Sequence, residues 1–183
     1  VWSSREQGYS SVPDAASWRP PAPGTRYLHI TTNNTVYGTQ WSFLPDAGGA
    51  WLIGDASSDV LSCPVDYSRY DLLYAGAQKN LGTSGVTLVV IRKSLLEACA
   101  SDLPAMVRYP VHAAKQSLYN TPCTTAIYVL ERVCAWIEAE GGVAVIGARN
   151  AARAARVYDA IDGSGGFYRG RAQPEARSRM NLT

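Results

Sequence analysis

Residues 86–91 (VTLVVI) constrain the fold of this chain more than any other segment, because they are apolar with almost no alternation. Such a run is typical of a strand that is buried on both faces, and strands of that kind belong mainly to α/β proteins. Three further short apolar runs precede it, at residues 27–30, 50–53 and 72–75. The pattern predicts an α/β fold with a mostly parallel sheet flanked by helices.

Two helical patterns follow these runs. Thr121 and Pro122 supply an N-cap residue and a proline at the first helical position, and apolar residues then recur at spacings of three and four. Gly141 and Gly142 are a stop signal. A second amphipathic pattern covers residues 143–161. Its arginines share one side, which we interpret as a solvated face rather than a binding surface: Arg149, Arg153 and Arg156.

Composition excludes several classes of protein. With 183 residues, 46% apolar and 17% charged, the chain is long enough and apolar enough for one folded domain with a core, although residues 1–26 are rich in proline and predicted to be irregular. A net charge of +2 indicates no nucleic-acid or membrane partner. The four cysteines lack CxxC spacing and only two histidines occur, so we expect no metal site and four reduced thiols.

Lys79 is the first candidate for chemistry. It follows an apolar run directly, within the segment Tyr74-Ala-Gly-Ala-Gln-Lys-Asn-Leu-Gly, and glycines stand on both sides of it. One interpretation is an exposed lysine in a turn between two strands. The other is an amine that forms an imine with a carbonyl compound, with glycines that allow a bulky cofactor to approach the backbone.

Asp55 is the second candidate, in Leu52-Ile-Gly-Asp-Ala-Ser-Ser. A carboxylate at the end of an apolar strand suits a ligand site, because open α/β sheets bind ligands beyond the carboxyl ends of their strands. The alternative is a helix N-cap or an Asx turn. Together with Lys79 it forms a more specific pair. A pyridoxal phosphate site needs a lysine for the aldehyde carbon and an acid for the pyridine nitrogen.

These residues and four other segments resemble phosphoserine aminotransferases. The resembling segments, in chain order, are Asn33-Asn-Thr-Val-Tyr-Gly-Thr, Asp55-Ala-Ser-Ser-Asp-Val-Leu-Ser, the Lys79 segment, Ser117-Leu-Tyr-Asn-Thr-Pro, and Gly165-Gly-Phe-Tyr with Arg177-Ser-Arg-Met-Asn. The resemblance runs from about Tyr27 to Thr183. It implies the large, cofactor-binding domain of the aspartate-aminotransferase type over residues 1–176, with residues 177–183 as the truncated start of the small C-terminal domain.

The resemblance also implies roles for individual residues toward pyridoxal 5'-phosphate. Lys79 is the residue that binds the cofactor covalently, and Asp55 pairs with its pyridine nitrogen. Thr35 lies against the ring near its hydroxyl, and Gln78 contacts its phosphate. Two further residues reach the phosphate of the neighbouring subunit's cofactor, so the implied assembly is a homodimer with shared sites: Asn120 and Thr121. Simple helix capping is the alternative for these two residues, and the two roles are compatible.

The implied reaction is amino-group transfer between L-glutamate and 3-phosphohydroxypyruvate, which yields O-phospho-L-serine and 2-oxoglutarate. The implied compartment is the cytoplasm, although a transit peptide preceding Val1 would leave no trace. Val1 and Thr183 open and close the sequence in mid-pattern, and we expect a fragment. The family's glycine-containing phosphate loop, its ring-stacking tryptophan and its substrate arginines have no counterpart here.

Two alternatives therefore stay open. The chain by itself is a folded module without catalysis, or it belongs to another pyridoxal phosphate transaminase of the same fold, of the alanine–glyoxylate type, or to a desulfurase. The sequences Asn-Thr-Pro and Gln-Lys-Asn favour phosphoserine aminotransferase over the latter two. A basic cluster near the shared site supplies only weak candidates: Arg108, His112 and Lys115.

Overall fold

The computed structural model describes residues 2–183, so Val1, which the domain prediction includes, lies outside the described residues. Six strands are present, four in one sheet of order β1-β4-β5-β6 and two in a small hairpin, β2-β3. The strands are β1 (Tyr27–Thr31), β2 (Asn33–Asn34), β3 (Thr39–Gln40), β4 (Trp51–Asp55), β5 (Leu72–Gly76) and β6 (Thr87–Ile91). All four predicted apolar runs are thus strands of the main sheet.

The helices lie mainly in the second half of the chain. They are α1 (Lys93–Glu97), α2 (Tyr109–Ala114), α3 (Thr124–Ala139) and α4 (Val143–Asp162). The prediction for α4 is confirmed to within one residue, and its three arginines are exposed. The predicted start of α3 is wrong: Cys123, not Thr121, is its N-cap residue, and no side chain caps it.

The main sheet is mostly parallel, as predicted. β1 pairs with β4 and β4 with β5 in parallel, so the carboxyl ends of these three strands lie at one edge. β6 pairs antiparallel with β5, because residues 77–86 are too short a connection for a crossover to a parallel neighbour. The prediction that this run is buried on both faces is wrong. β6 is last in the sheet order, and Val90 is 46% exposed.

One face of the sheet carries the hydrophobic core. Side chains alternate along each strand, and the buried ones from the three parallel strands include Ile30, Leu52 and Leu73. Leu130 of α3 packs against this cluster, and so does Trp41, which follows the small hairpin. The alternate residues face the other side, where exposure ranges from 59% at Tyr27 to 6% at Leu72. The packing fixes the directions of β4 and β5 and therefore of the loops at their carboxyl ends.

No helix among residues 2–183 combines the length and the apolarity that a membrane crossing needs. Residues 2–26 are irregular apart from a short 3-10 turn at Arg5–Gln7, as their proline content predicted.

Candidate active site

Lys79 lies in the turn that follows β5. Ala77 and Leu81, two residues before and two after it, are fully buried, and the amide of Leu81 donates to the carbonyl of Ala77 at 3.2 Å. This spacing turns both apolar side chains inward and leaves the Lys79 side chain exposed. Its Nζ donates a hydrogen bond to Thr35 Oγ1 at 2.8 Å. Exposure alone fits a simple turn lysine, but the contact with Thr35 joins two of the predicted site residues.

Thr35 is held by the turn between β2 and β3. The side-chain Oδ1 of Asn34 accepts hydrogen bonds from the amides of Val36 and Tyr37, both at 3.1 Å. The amide of Gly38 donates to the carbonyl of Asn34 at 3.0 Å, and Gly38 adopts a left-handed conformation with φ of +67°. The turn is therefore well ordered, and it presents the Thr35 hydroxyl to the lysine.

Asp55 is the last residue of β4, on the strand next to the one that leads to Lys79. Its Oδ1 accepts hydrogen bonds from the Ser57 amide at 2.9 Å and the Ser57 hydroxyl at 2.6 Å. The Ser57 oxygen in turn accepts from the amide of Gly76 at 2.9 Å. The Asx-turn interpretation is therefore right about the local geometry. The same turn orients a carboxylate at the strand end, which is what a ligand site requires.

Two side chains near Asp55 were not predicted from the sequence. Tyr74 is the register partner of Asp55 across the β4–β5 pair. Burial, and then the Asp55 carboxylate, raises the pKa of the Tyr74 hydroxyl. That hydroxyl lies 3.1 Å from His29 Nε2 on β1. Strand alternation could have predicted these two residues, because it places His29 and Tyr74 on the same face of the sheet as Asp55, opposite the core.

Gln78 precedes the lysine and is exposed. Its side chain occupies the space beside Gly76: a Cβ added to Gly76 would lie 2.6 Å from Gln78 Oε1. The glycine thus lets the amide of Gln78 fold back against the end of β5. The next residue, Asn80, hydrogen bonds through Nδ2 to the carbonyl of Val60 and ties the turn to the core.

Asn120 and Thr121 are not brought to this site by any hydrogen bond within residues 2–183. Both are exposed, and Asn120 Nδ2 donates only to the carbonyl of Thr121, at 3.1 Å. Two members of the basic cluster also make local contacts: His112 Nε2 lies 3.0 Å from the Met106 carbonyl, and Arg108 donates to that of Ser101 at 2.8 Å. Asn120 and Thr121 are therefore accessible at the surface of residues 2–183.

The arrangement places an amine and a carboxylate at the carboxyl ends of adjacent parallel strands. The amine can form an imine with an aldehyde, and the carboxylate can pair with a protonated ring nitrogen. Such a pair on a mostly parallel sheet fits an α/β protein of the aminotransferase type. Residues 14–183 match the sequence model of the family described as aminotransferase class-V, and the chain belongs to this family.

Several phosphoserine aminotransferases are similar to this chain. The chain is 50% identical over 181 residues to a phosphoserine aminotransferase of Lysinibacillus sphaericus, covering 99% of this chain and 50% of that one. A solved phosphoserine aminotransferase from Bacillus circulans subsp. alkalophilus has a TM-score of 0.94 at 44% identity, over 98% of this chain and 50% of that one.

A crystal structure of a pyridoxal phosphate-bound phosphoserine aminotransferase from Trichomonas vaginalis is also similar. It has a TM-score of 0.84 at 36% identity, over 93% of this chain and 47% of that one. The chain spans about half the length of the curated relatives it matches.

Proposed function

We propose that this chain binds pyridoxal 5'-phosphate and carries the reactive lysine of a phosphoserine aminotransferase. The reaction transfers an amino group from L-glutamate to 3-phosphohydroxypyruvate and gives O-phospho-L-serine and 2-oxoglutarate. The observation that carries the proposal is the placement of Asp55 and Lys79 on neighbouring strand ends, with Thr35 on the lysine amine. The identity of about half of the residues to phosphoserine aminotransferases supports this substrate pair.

The residues present fit the cofactor. Lys79 would hold it covalently, and Asp55, oriented by Ser57, would pair with its ring nitrogen. Thr35 would lie beside its ring hydroxyl, and the folded-back amide of Gln78 would meet its phosphate. When bound, pyridoxal phosphate supplies a carbonyl carbon that carries the amino group and a ring that withdraws electrons.

The chain's own contribution is the control of protons. We assign to Lys79 Nζ the removal of the proton from Cα of the amino donor and the delivery of a proton to Cα of the product amino acid. The hydrogen bond to Thr35 Oγ1 sets the direction of this amine before the cofactor binds. Asp55 keeps a proton at the ring nitrogen. Its own hydrogen bonds to Ser57 hold the carboxylate in place at the end of β4.

We infer that the active assembly is a homodimer in which Asn120 and Thr121 reach the partner subunit's cofactor phosphate. Their exposure and their lack of hydrogen bonds to the site within residues 2–183 support this assignment. Residues 177–183 belong, in this proposal, to the start of the small domain. We place the protein in the cytoplasm, since the four free thiols suit a reducing compartment.

The covalent assignment is tested by adding pyridoxal phosphate to the purified protein, reducing with borohydride, and mapping the modified peptide. Besides Lys79, the chain has two exposed lysines, Lys93 and Lys115, which serve as internal controls. We expect stoichiometric label at Lys79 and little at the other two. A Lys79→Arg variant should take none. Label spread evenly over the three lysines would contradict the proposal.

Asp55→Asn tests the role of the carboxylate. It should leave Lys79 labelling largely intact but lower turnover of phosphoserine with 2-oxoglutarate by about 10²- to 10⁴-fold, the usual contribution of a positioned acid or base. Asp71→Asn is the matched control. Asp71 pairs with Arg92 at the other end of β5, so its loss should affect stability rather than turnover. Equal turnover losses in both variants would contradict the assignment.

This chain covers only half the length of its relatives, which favours a second hypothesis: these residues fold and bind the cofactor but do not turn over substrate. The same two measurements separate the readings. Label at Lys79 together with amino-group transfer supports the enzyme. Label at Lys79 without transfer supports a cofactor-binding module.

A further inference from the structure

A buried polar cluster joins the small hairpin to the C-terminal end of the described chain. We call Asn33, Ser58, Ser178 and Asn181 the Asn33 cluster. The side chain of Asn33 is 1% exposed, and its Nδ2 donates to Ser58 Oγ at 2.8 Å and to Asn181 Oδ1 at 2.6 Å. Its Oδ1 accepts from the Ser178 hydroxyl. A buried amide is costly unless it is hydrogen bonded, and here both of its ends are satisfied.

Ser178 is the member of the cluster with the most contacts. It is fully buried, and its side-chain Oγ accepts hydrogen bonds from the amides of Met180 at 3.0 Å and Asn181 at 2.9 Å. Its own amide donates to the carbonyl of Gly38 at 2.9 Å, and its carbonyl accepts from the Tyr158 hydroxyl at 2.7 Å. Ser178 therefore stabilises the conformation of residues 178–181 and binds this segment to the hairpin.

The cluster holds both ends of the turn that presents Thr35. Asn33 immediately precedes Asn34, whose side chain orders the turn, and Gly38 at the other end bonds to Ser178. A Cβ added to Gly38 would lie 2.9 Å from the Asn181 carbonyl, so the two segments are in close contact. Thr35 stands between these fixed ends. Within residues 2–183 its hydroxyl is the sole side-chain hydrogen-bond partner of Lys79 Nζ.

We propose that Ser178 is a positioning residue for Lys79, acting through Asn33 and Gly38 on the turn that carries Thr35. The inference rests on the proposed role of Lys79 as the reactive amine. The Arg177-Ser-Arg-Met-Asn segment takes no direct part in the proposed reaction, and the inference assigns it a positioning function. The segment sets the direction of the lysine from a distance of about a hundred residues along the chain.

The experiment measures the turn and the lysine separately in protein freed of cofactor. Trace labelling with acetic anhydride gives the reactivity of Lys79 relative to Lys93 and Lys115. Hydrogen exchange, followed by mass spectrometry on a peptide covering residues 33–38, gives the order of the turn. The variants are Ser178→Ala, Thr35→Val, which removes the acceptor itself, and Ser62→Ala, a matched control at another buried serine outside the cluster.

We expect Ser178→Ala and Thr35→Val each to raise the relative reactivity of Lys79 by about 2- to 10-fold, the range that loss of one net hydrogen bond gives. Ser178→Ala should also accelerate exchange in residues 33–38, whereas Ser62→Ala should change neither quantity. Ser178→Ala with parental Lys79 reactivity would overturn the proposal. So would an equal change in Ser62→Ala, which would indicate general loosening.

Two further outcomes remain distinguishable. If Ser178→Ala does not fold, Asn181→Ala replaces it under the same criteria, because it removes one acceptor from Asn33 and leaves Ser58 in place. Failure of wild-type Lys79 to take pyridoxal phosphate would refute the proposed function. That result leaves the acetylation ratio unchanged, so the two failures are not confused.

Discussion

Asp59 is a partly buried carboxyl group close to the site that the proposed chemistry does not use. It hydrogen bonds to the Thr32 hydroxyl and accepts from Gln40 Nε2 at 3.1 Å. Burial raises the pKa of Asp59 above its usual value of 3.8, and this effect outweighs the two hydrogen bonds, which lower it. The folded protein therefore binds this proton more tightly than the unfolded chain does.

The sign of the pH dependence follows from that difference. Asp59 contributes most to stability below the ordinary carboxyl pKa, and the contribution is lost as the pH rises through the raised folded-state pKa. Asp59→Asn, which cannot ionise, should therefore gain stability relative to the parent as the pH rises from about 3.5 to about 7. Urea denaturation across this range measures the difference in unfolding free energy.

Asp66→Asn provides a control of opposite sign. The hydrogen bonds from Ser68 lower the pKa of the exposed Asp66, so its contribution is present above the ordinary carboxyl pKa and lost as the pH falls. The Asp66→Asn variant should lose stability relative to the parent as the pH rises. Parallel pH profiles for the two variants would contradict the reasoning on Asp59.

At the scale of elements, the turn that carries Lys79 depends on its packing against α3. Gly82 has φ of +142°, and a Cβ there would lie 2.8 Å from Val129 Cγ1 on α3. Gly82→Ala should therefore cost both backbone strain and a clash. Gly49→Ala isolates the strain, because Gly49 has φ of +86° but no atom within 4 Å of its added Cβ.

We expect Gly82→Ala to lower the free energy of unfolding by about 1–3 kcal/mol more than Gly49→Ala does, the usual cost of overpacking. Urea denaturation of both variants at one pH measures this. Equal losses would show that α3 can move away from the turn, and that the position of Lys79 does not depend on that packing.

The four strands of the main sheet could be predicted from local patterns, which also placed Asp55 and Lys79 after strand ends, whereas the roles of these two residues toward the cofactor rested on the family resemblance. Apolar runs identified all four strands of the main sheet, and parallel pairing then brought two strand ends together. The position of β6 at the end of the sheet formed by residues 2–183 was missed, since an apolar run does not say which strand it pairs with. The short connection at residues 77–86 was the better signal.

The Asn33 cluster could not be predicted in the same way. Small polar residues such as Asn33, Ser58 and Ser178 have no periodicity, and each is typical of a loop when taken alone. Their burial depends on contacts between segments far apart in the sequence. The start of α3 was mispredicted for a related reason: Thr121-Pro122 has the composition of a helix start, but the helix begins at Thr124.

At the scale of the whole molecule, five exposed apolar side chains occur in the segment of the chain that leads to Asn120 and Thr121. They are Leu103, Met106, Val107, Leu118 and Tyr119, with exposures from 42% to 63%, and we call them the apolar surface. Large exposed apolar surfaces mark interaction sites in soluble proteins. In the proposed homodimer, a second copy covers this surface and brings its own cofactor phosphate to Asn120 and Thr121.

Val107→Asp should shift the dimer to monomers, because it places a charge in the proposed interface, where desolvation without a partner is costly. Sedimentation velocity at micromolar concentration measures the shift. Val157→Asp is the matched control, since Val157 is 45% exposed on α4, away from this surface, and should leave the dimer intact. Pyridoxal phosphate should also dissociate faster from Val107→Asp, because the phosphate loses the partner's contacts. A parent protein that sediments as a monomer, or a Val107→Asp dimer with parental cofactor retention, would contradict the shared site.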